Sequence, residues 1–135
     1  MDARHGAWGA WSRAISLARR INARVFVLLV FTPGEDGGGN GENGAGESVR
    51  HRLELLIELA KSDGISIDYF VSEGNYEEEV IQFADHNRIT LMVAEPSDGS
   101  SRHHERESLS FQKIRHRINC RMELVSPRKP QNLQA

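Results

Sequence analysis

The stretch ITLMVAEPSDGSSRHHERESLSFQKIRHRINCRMELV, residues 89–125, decides the fold. Residues 89–94 (ITLMVA) form a nearly unbroken apolar run, as expected of a strand buried on both faces. A polar loop is expected over residues 95–107. Ser108 then precedes Phe111, Ile114 and Ile118, which are spaced for one face of a short helix, and it is placed to cap that helix. Over residues 120–125, Cys120, Met122 and Leu124 alternate with other residues, which predicts a strand with one wet face at a sheet edge.

The same grammar repeats upstream. Residues 25–31 (VFVLLVF) are continuously apolar, whereas Ile65, Ile67, Tyr69 and Val71 alternate. Helical spacing joins Trp8, Trp11, Ile15, Ala18 and Ile21. It also joins Val49, Leu53, Leu56, Ile57 and Ala60, and, further on, Tyr76, Val80, Phe83 and Ala84. Asn75 with Glu78 resembles a capping box, Ser48 is placed as an N-cap, and Gly64 follows the second helix where a left-handed residue is expected. The order α-β-α-β-α-β-α-β predicts an α/β fold, a three-layer sandwich with a mostly parallel sheet between helices.

The 135 residues read as one domain, with 39% hydrophobic and 27% charged content, ordinary for a globular protein. A net charge of -2 gives no bulk attraction for nucleic acid or an anionic membrane. The start, MDARHGAWGAW, lacks the basic-then-apolar layout of a secretory signal, and Cys120 has no second cysteine to pair with, so a cytoplasmic location is expected. Residues 34–46 hold seven glycines and are expected to be a flexible loop. They contain neither G-x-x-x-x-G-K-[ST] nor G-x-G-x-x-G, and Glu35, Asp36 and Glu42 would repel phosphate. The tail, residues 127–135, is expected to be disordered.

Three stretches carry a resemblance when taken in order: RAISLARRINARVFVLLVFTP (13–33), EGNYEEEVIQFADHNRITLMVAE (73–95) and INCRMELVSP (118–127). Together they resemble a universal stress protein domain over nearly the whole chain. The resemblance implies a sheet of five parallel strands in the order 3-2-1-4-5, as in the adenine nucleotide alpha hydrolase-like folds. The four strands here match numbers two to five, and the first, central strand is absent. The Asp that ends that strand, and that contacts adenosine in relatives, falls on Asp2. Its absence leaves the inner edges of residues 25–31 and 89–94 without partners. A segment upstream, direct pairing in the order 3-2-4-5, or a strand donated by another chain or a distant segment would resolve this.

ATP-binding relatives carry a motif resembling G-x2-G-x9-G-[ST]. Its glycine positions fall here on Ala94, Ser97 and Glu107, and Ser108 keeps the hydroxyl. Two unit charges about 4 Å apart repel by roughly 4 kcal/mol at an effective dielectric of 20, so Glu107 weighs heavily against a bound phosphate. The expected function is a non-enzymatic regulatory or interaction module in stress response, with no cofactor. It is expected to act as a homodimer through the edge strand of residues 120–125, from Cys120 to Val125, and to meet a protein partner. The alternative is an ATP-binding sensor with a degenerate site of Asp2, Val30, Val93, Ala94, Ser97 and Ser108. A small nucleotide hydrolase is the third reading, disfavoured because no nucleophile–base pair is visible.

Other clusters have plainer readings. His103, His104, Glu105 and Glu107 lack metal-ligand spacing and suit a solvated loop. Cys120 suits a small packing residue, and Lys113, Arg115, His116, Arg117 and Arg121 suit a solvated basic face. Trp8 and Trp11 share a helix face and suit the core.

Overall fold

The computed structural model describes residues 1–33, 44–96 and 103–126. Its elements run α1 (Trp8–Ile21), β1 (Val25–Phe31), α2 (Ala45–Ser62), β2 (Ile67–Glu73), α3 (Tyr76–His86), β3 (Leu91–Ala94), α4 (His103–Arg117) and β4 (Arg121–Leu124). The apolar run of β1 serves two cores because successive side chains leave a strand on opposite faces. Val27 and Leu29 pack with Ala18 of α1 and with Val49, Leu53 and Ile57 of α2. Leu28 and Val30 pack with Val80 and Ile81 of α3 and with Phe111 and Ile114 of α4. The strands therefore lie between a pair of helices on each side, the expected α/β sandwich.

β1 pairs with β2 in parallel, from Val25 opposite Ile67 to Phe31 opposite Glu73. β3 pairs with β4 in parallel, from Leu91 opposite Arg121 to Ala94 opposite Leu124. Among the described residues β1 and β3 do not pair with each other, so the strands form two half-sheets and the direct order 3-2-4-5 is not formed. At the chain start, Asp2 makes an isolated parallel bridge to Val30. The Met1 amine donates to the Leu28 carbonyl at 2.7 Å. Val30 N donates to Met1 O, and Ala3 N to Val30 O, each at 2.9 Å. Residues 1–3 thus occupy one end of a strand position, where the resemblance places Asp2.

Several boundaries differ from expectation. α4 starts at His103, so Ser108 lies inside the helix rather than capping it. The run HHERE contains good helix formers that extend the helix toward its N-terminus. α2 starts at Ala45 behind Gly44, which leaves Ser48 inside as well. β3 is less covered than its apolar run implies, with Leu91 36% exposed, because among the described residues no strand pairs with its inner edge. Ile21, at the end of α1, is exposed. The Asn75 cap forms, its Oδ1 accepting from Glu78 N at 3.0 Å. The Glu78 carboxylate leaves the capping box and accepts from Arg117 Nη1 at 3.0 Å, tying α3 to α4. Gly64 has φ +91°, as its place after α2 requires. Most of the glycine-rich loop (34–43), Ser97 and the tail 127–135 lie outside the described residues. No described helix is long and apolar enough to cross a membrane.

Candidate functional site

The two half-sheets leave between them a cleft of about 810 Å³. Val25, Phe26, Val27 and Leu28 of β1 form one wall, Val93 and Ala94 of β3 another. Trp11 and Ala14 of α1 line it from one helical layer, and Tyr76 and Phe111 from the other. Polar groups collect where the chain enters from residues 1–5.

That entry is a tight turn, in which the Asp2 carbonyl accepts from His5 N at 3.2 Å and Gly6 N at 2.8 Å. Gly6 has φ +75°, and a Cβ there would meet the Trp8 ring at 2.9 Å, so the position favours glycine on both counts. The Asp2 carboxylate is buried and doubly engaged by Arg4, whose Nη2 lies 2.7 Å from Oδ2 and whose Nε lies 3.1 Å from Oδ1. Burial pushes the Asp2 pKa up, but the hydrogen bonds and charge of Arg4 outweigh it, leaving the carboxyl below its ordinary value. His5 Nε2 stands 3.5 Å from Glu107 Oε2 and 3.9 Å from Asp2 Oδ2. Burial, with the nearby charges of Asp2 and Glu107, pushes the Tyr76 hydroxyl well above its ordinary range and keeps it protonated.

A second charge enters from β3. α1 begins behind Ala7, which offers no capping side chain. Glu95 supplies the cap from across the fold, its Oε1 accepting from Ala10 N at 2.9 Å. Gly9 permits the approach, since a Cβ there would lie 2.9 Å from that same oxygen. The carboxylate also meets the positive end of the helix dipole. Sequence reasoning missed Glu95; the available signal was an alanine where Ser, Thr, Asp or Asn usually caps. Glu95→Ala is expected to cost about 1 kcal/mol, the usual worth of a cap, and to lower Tm by about 4 °C in a thermal melt followed by circular dichroism. Glu95→Gln, which keeps an accepting oxygen, should lose less.

Of the residues of the degenerate nucleotide site, the structure describes all but Ser97. Asp2, Val93 and Ala94 line the cleft, while Val30 is fully buried beneath the Asp2 bridge. Ser108 is exposed within α4 and does not line the cleft. Glu107 does line it, as does Ser110, whose hydroxyl donates to Glu77 Oε2 at 2.5 Å and which sequence reasoning did not single out. Cys120 is half-buried and burial raises its thiol pKa, which suits a packing residue rather than a nucleophile. Among the described residues no group of three or more His, Cys, Asp and Glu side chains is arranged to hold a metal ion.

No protein-family profile matches the chain. No curated protein matches it at a significant level. A solved universal stress protein in complex with cAMP is similar in structure, with a TM-score of 0.66 and 16% identity, over 93% of this chain and 91% of that chain. At this identity the similarity is one of fold, and the fold is universal-stress-protein-like.

Proposed function

We propose that the protein is a regulatory or interaction module of the universal stress type, acting as a homodimer in the cytoplasm during stress response, without catalysis and without tight ATP binding. The observation that carries this reading is that the chain's own charges already occupy the polar end of the cleft. Arg4 holds Asp2, Glu95 fills the N-terminus of α1, and Glu107 faces His5. A triphosphate would meet these carboxylates, and α4 offers no free N-terminus at Ser108 to offset them. Calorimetry with ATP is expected to give a Kd weaker than about 10 μM, and a tighter value would overturn the reading. Glu107→Gln is the control, since it removes the charge while keeping a helix former and should raise affinity.

The dimer reading rests on β4. The carbonyls of Thr90 and Ala94 accept from Arg121 N and Val125 N, so strand alternation turns Met122 and Leu124 toward the outer edge. Leu124 is 40% exposed. An edge of this kind pairs readily with its twin about a two-fold axis. Gel filtration should therefore show a dimer of the 15.2 kDa chain that Met122→Pro converts to monomer.

A nucleotide-binding sensor is the second reading. Val93 and Ala94 on the cleft wall favour it, and the similar structure's cAMP carries a single phosphate charge rather than a triphosphate. A cAMP titration beside the ATP titration separates the two readings, and ATP turnover would be the mark of the hydrolase reading.

A further inference from the structure

We infer that β4 docks a second copy of this chain in a single register, with Met122 on the two-fold axis and Arg121 of each chain opposite the partner's Glu123. The inference rests on the dimer reading and deepens it by naming the residues that select the partner and fix its position.

The two faces of β4 set the argument, since successive side chains leave a strand on opposite sides. Glu123 turns toward α1, where its Oε2 accepts from Arg13 Nε at 2.6 Å. Arg121 and Val125 share that face by alternation. Met122 turns to the other face and packs against the cluster around Phe111 and Ile114. Arg121 is exposed, and among the described residues no carboxylate pairs with it. One face of β4 thus carries a cation and a carboxylate, one strand period apart. A pattern of this kind is its own complement when the strand is reversed, which is why the occupant is a second copy rather than an unrelated strand.

Backbone parity limits the ways in which two copies can meet. Arg121 N and Val125 N bond inward to β3, so Met122 and Leu124 present their backbone groups outward. Antiparallel pairing sets outward residues opposite outward ones and inward opposite inward, so the two-fold axis must pass through a residue rather than between two. Centred on Glu123, two carboxylates would stand directly opposite each other, and centred on Arg121, two guanidinium groups. Like charges so placed are destabilising. Centred on Leu124, Glu123 would face the partner's Val125 and no opposite charges would meet. Centred on Met122, Arg121 faces the partner's Glu123 on both sides of the axis. These pairs exchange no backbone hydrogen bonds, and at such positions side chains approach most closely. Arg13 holds the Glu123 carboxylate on this face, and its Nη2 stands at 3.5 Å from Oε1, which keeps lone pairs for the partner. The same register sets Leu124, 40% exposed, against the partner's Cys120, which is half-buried in each chain.

The test uses the full chain in sedimentation over a range of concentrations. Arg121→Glu and Glu123→Arg should each weaken the dimer at least about tenfold, because each turns two attractive pairs into two repulsive ones. An equimolar mixture of the two variants should associate again, and the circular dichroism spectrum of each should match that of the wild type. In chains with Cys120→Ser, Met122→Cys should give a disulfide-linked dimer on mild oxidation, since its two Cα atoms lie about 5.5 Å apart in this register. Leu124→Cys should stay unlinked, because its own copies are then roughly 13 Å apart along the strands. A dimer that links through Leu124→Cys and not through Met122→Cys, or that is indifferent to both charge reversals, overturns the register and leaves the dimer reading standing. A wild-type chain that stays monomeric overturns both.

Discussion

A chain with Val-Ile-Val-Val joined by a peptide bond to Met1 is expected to melt about 10–15 °C above the 135-residue chain. The addition would lie between Val25–Leu28 of β1 and the inner edge of β3, where Leu91 and Val93 turn their backbone groups to the cleft. Each backbone hydrogen bond gained contributes about 1 kcal/mol net, and each apolar side chain removed from water roughly 1.5–3 kcal/mol. Ordering each residue costs roughly 1–2 kcal/mol of backbone entropy, so burial prevails by several kcal/mol. Exposed β3 residues such as Leu91 should gain cover at the same time. A fusion of Ser and Asp residues of equal length is the control and should give no rise, because the cleft walls are apolar. An apolar fusion that leaves the melting temperature unchanged would mean that the half-sheets have closed on each other in solution.

The outline of this fold was legible because the apolar residues carry two clean periods. VFVLLVF yields β1 with the predicted bounds, and the helical faces through Leu53 and Ile114 lead to the two most buried helix positions. Helix starts were harder. Ser48 and Ser108 carry the right chemistry for caps, yet both lie inside helices because helix-forming neighbours upstream extend the turn. Asn75 succeeded where they failed because Gly74, at φ +154°, breaks the chain just before it. The candidate site was read in part. Asp2 and Glu107 could be placed at the cleft from the resemblance, but nothing local announces that Arg4 would hold the first. Glu95 is a long-range partner, reaching across the fold to Ala10, and no window of sequence contains both. The cleft itself is a property of pairing between strands, which periodicity within a strand does not report.

Stability of the 135-residue chain is expected to rise by about 2 kcal/mol between about pH 5.5 and pH 8.5 on account of the Met1 amine alone. In the folded chain burial lowers this pKa from 8.0 to about 6, with the Asp2 charge opposing the shift. Below about pH 6 the amine is protonated in both states, and the folded chain bears the full cost of a buried charge. Between 6 and 8 the unfolded chain binds more protons than the folded one, so stability climbs with pH. Above 8 the amine is neutral in both states and the contribution is flat. Asp2 does not confuse this window, because its lowered pKa makes its contribution disappear only in acid, below the ordinary value of 3.8. An Nα-acetylated chain isolates the amine from every side chain, all of which the two chains share. Acetylation leaves every histidine in place and replaces the amine by an amide, which still donates to the Leu28 carbonyl but carries no charge. Urea unfolding of both chains across this range should give curves that coincide near pH 8.5 and diverge toward acid, with the acetylated chain the more stable by about 2 kcal/mol near pH 5.5. Curves that stay parallel throughout would place the amine in water and remove Met1 from the strand ladder beside β1.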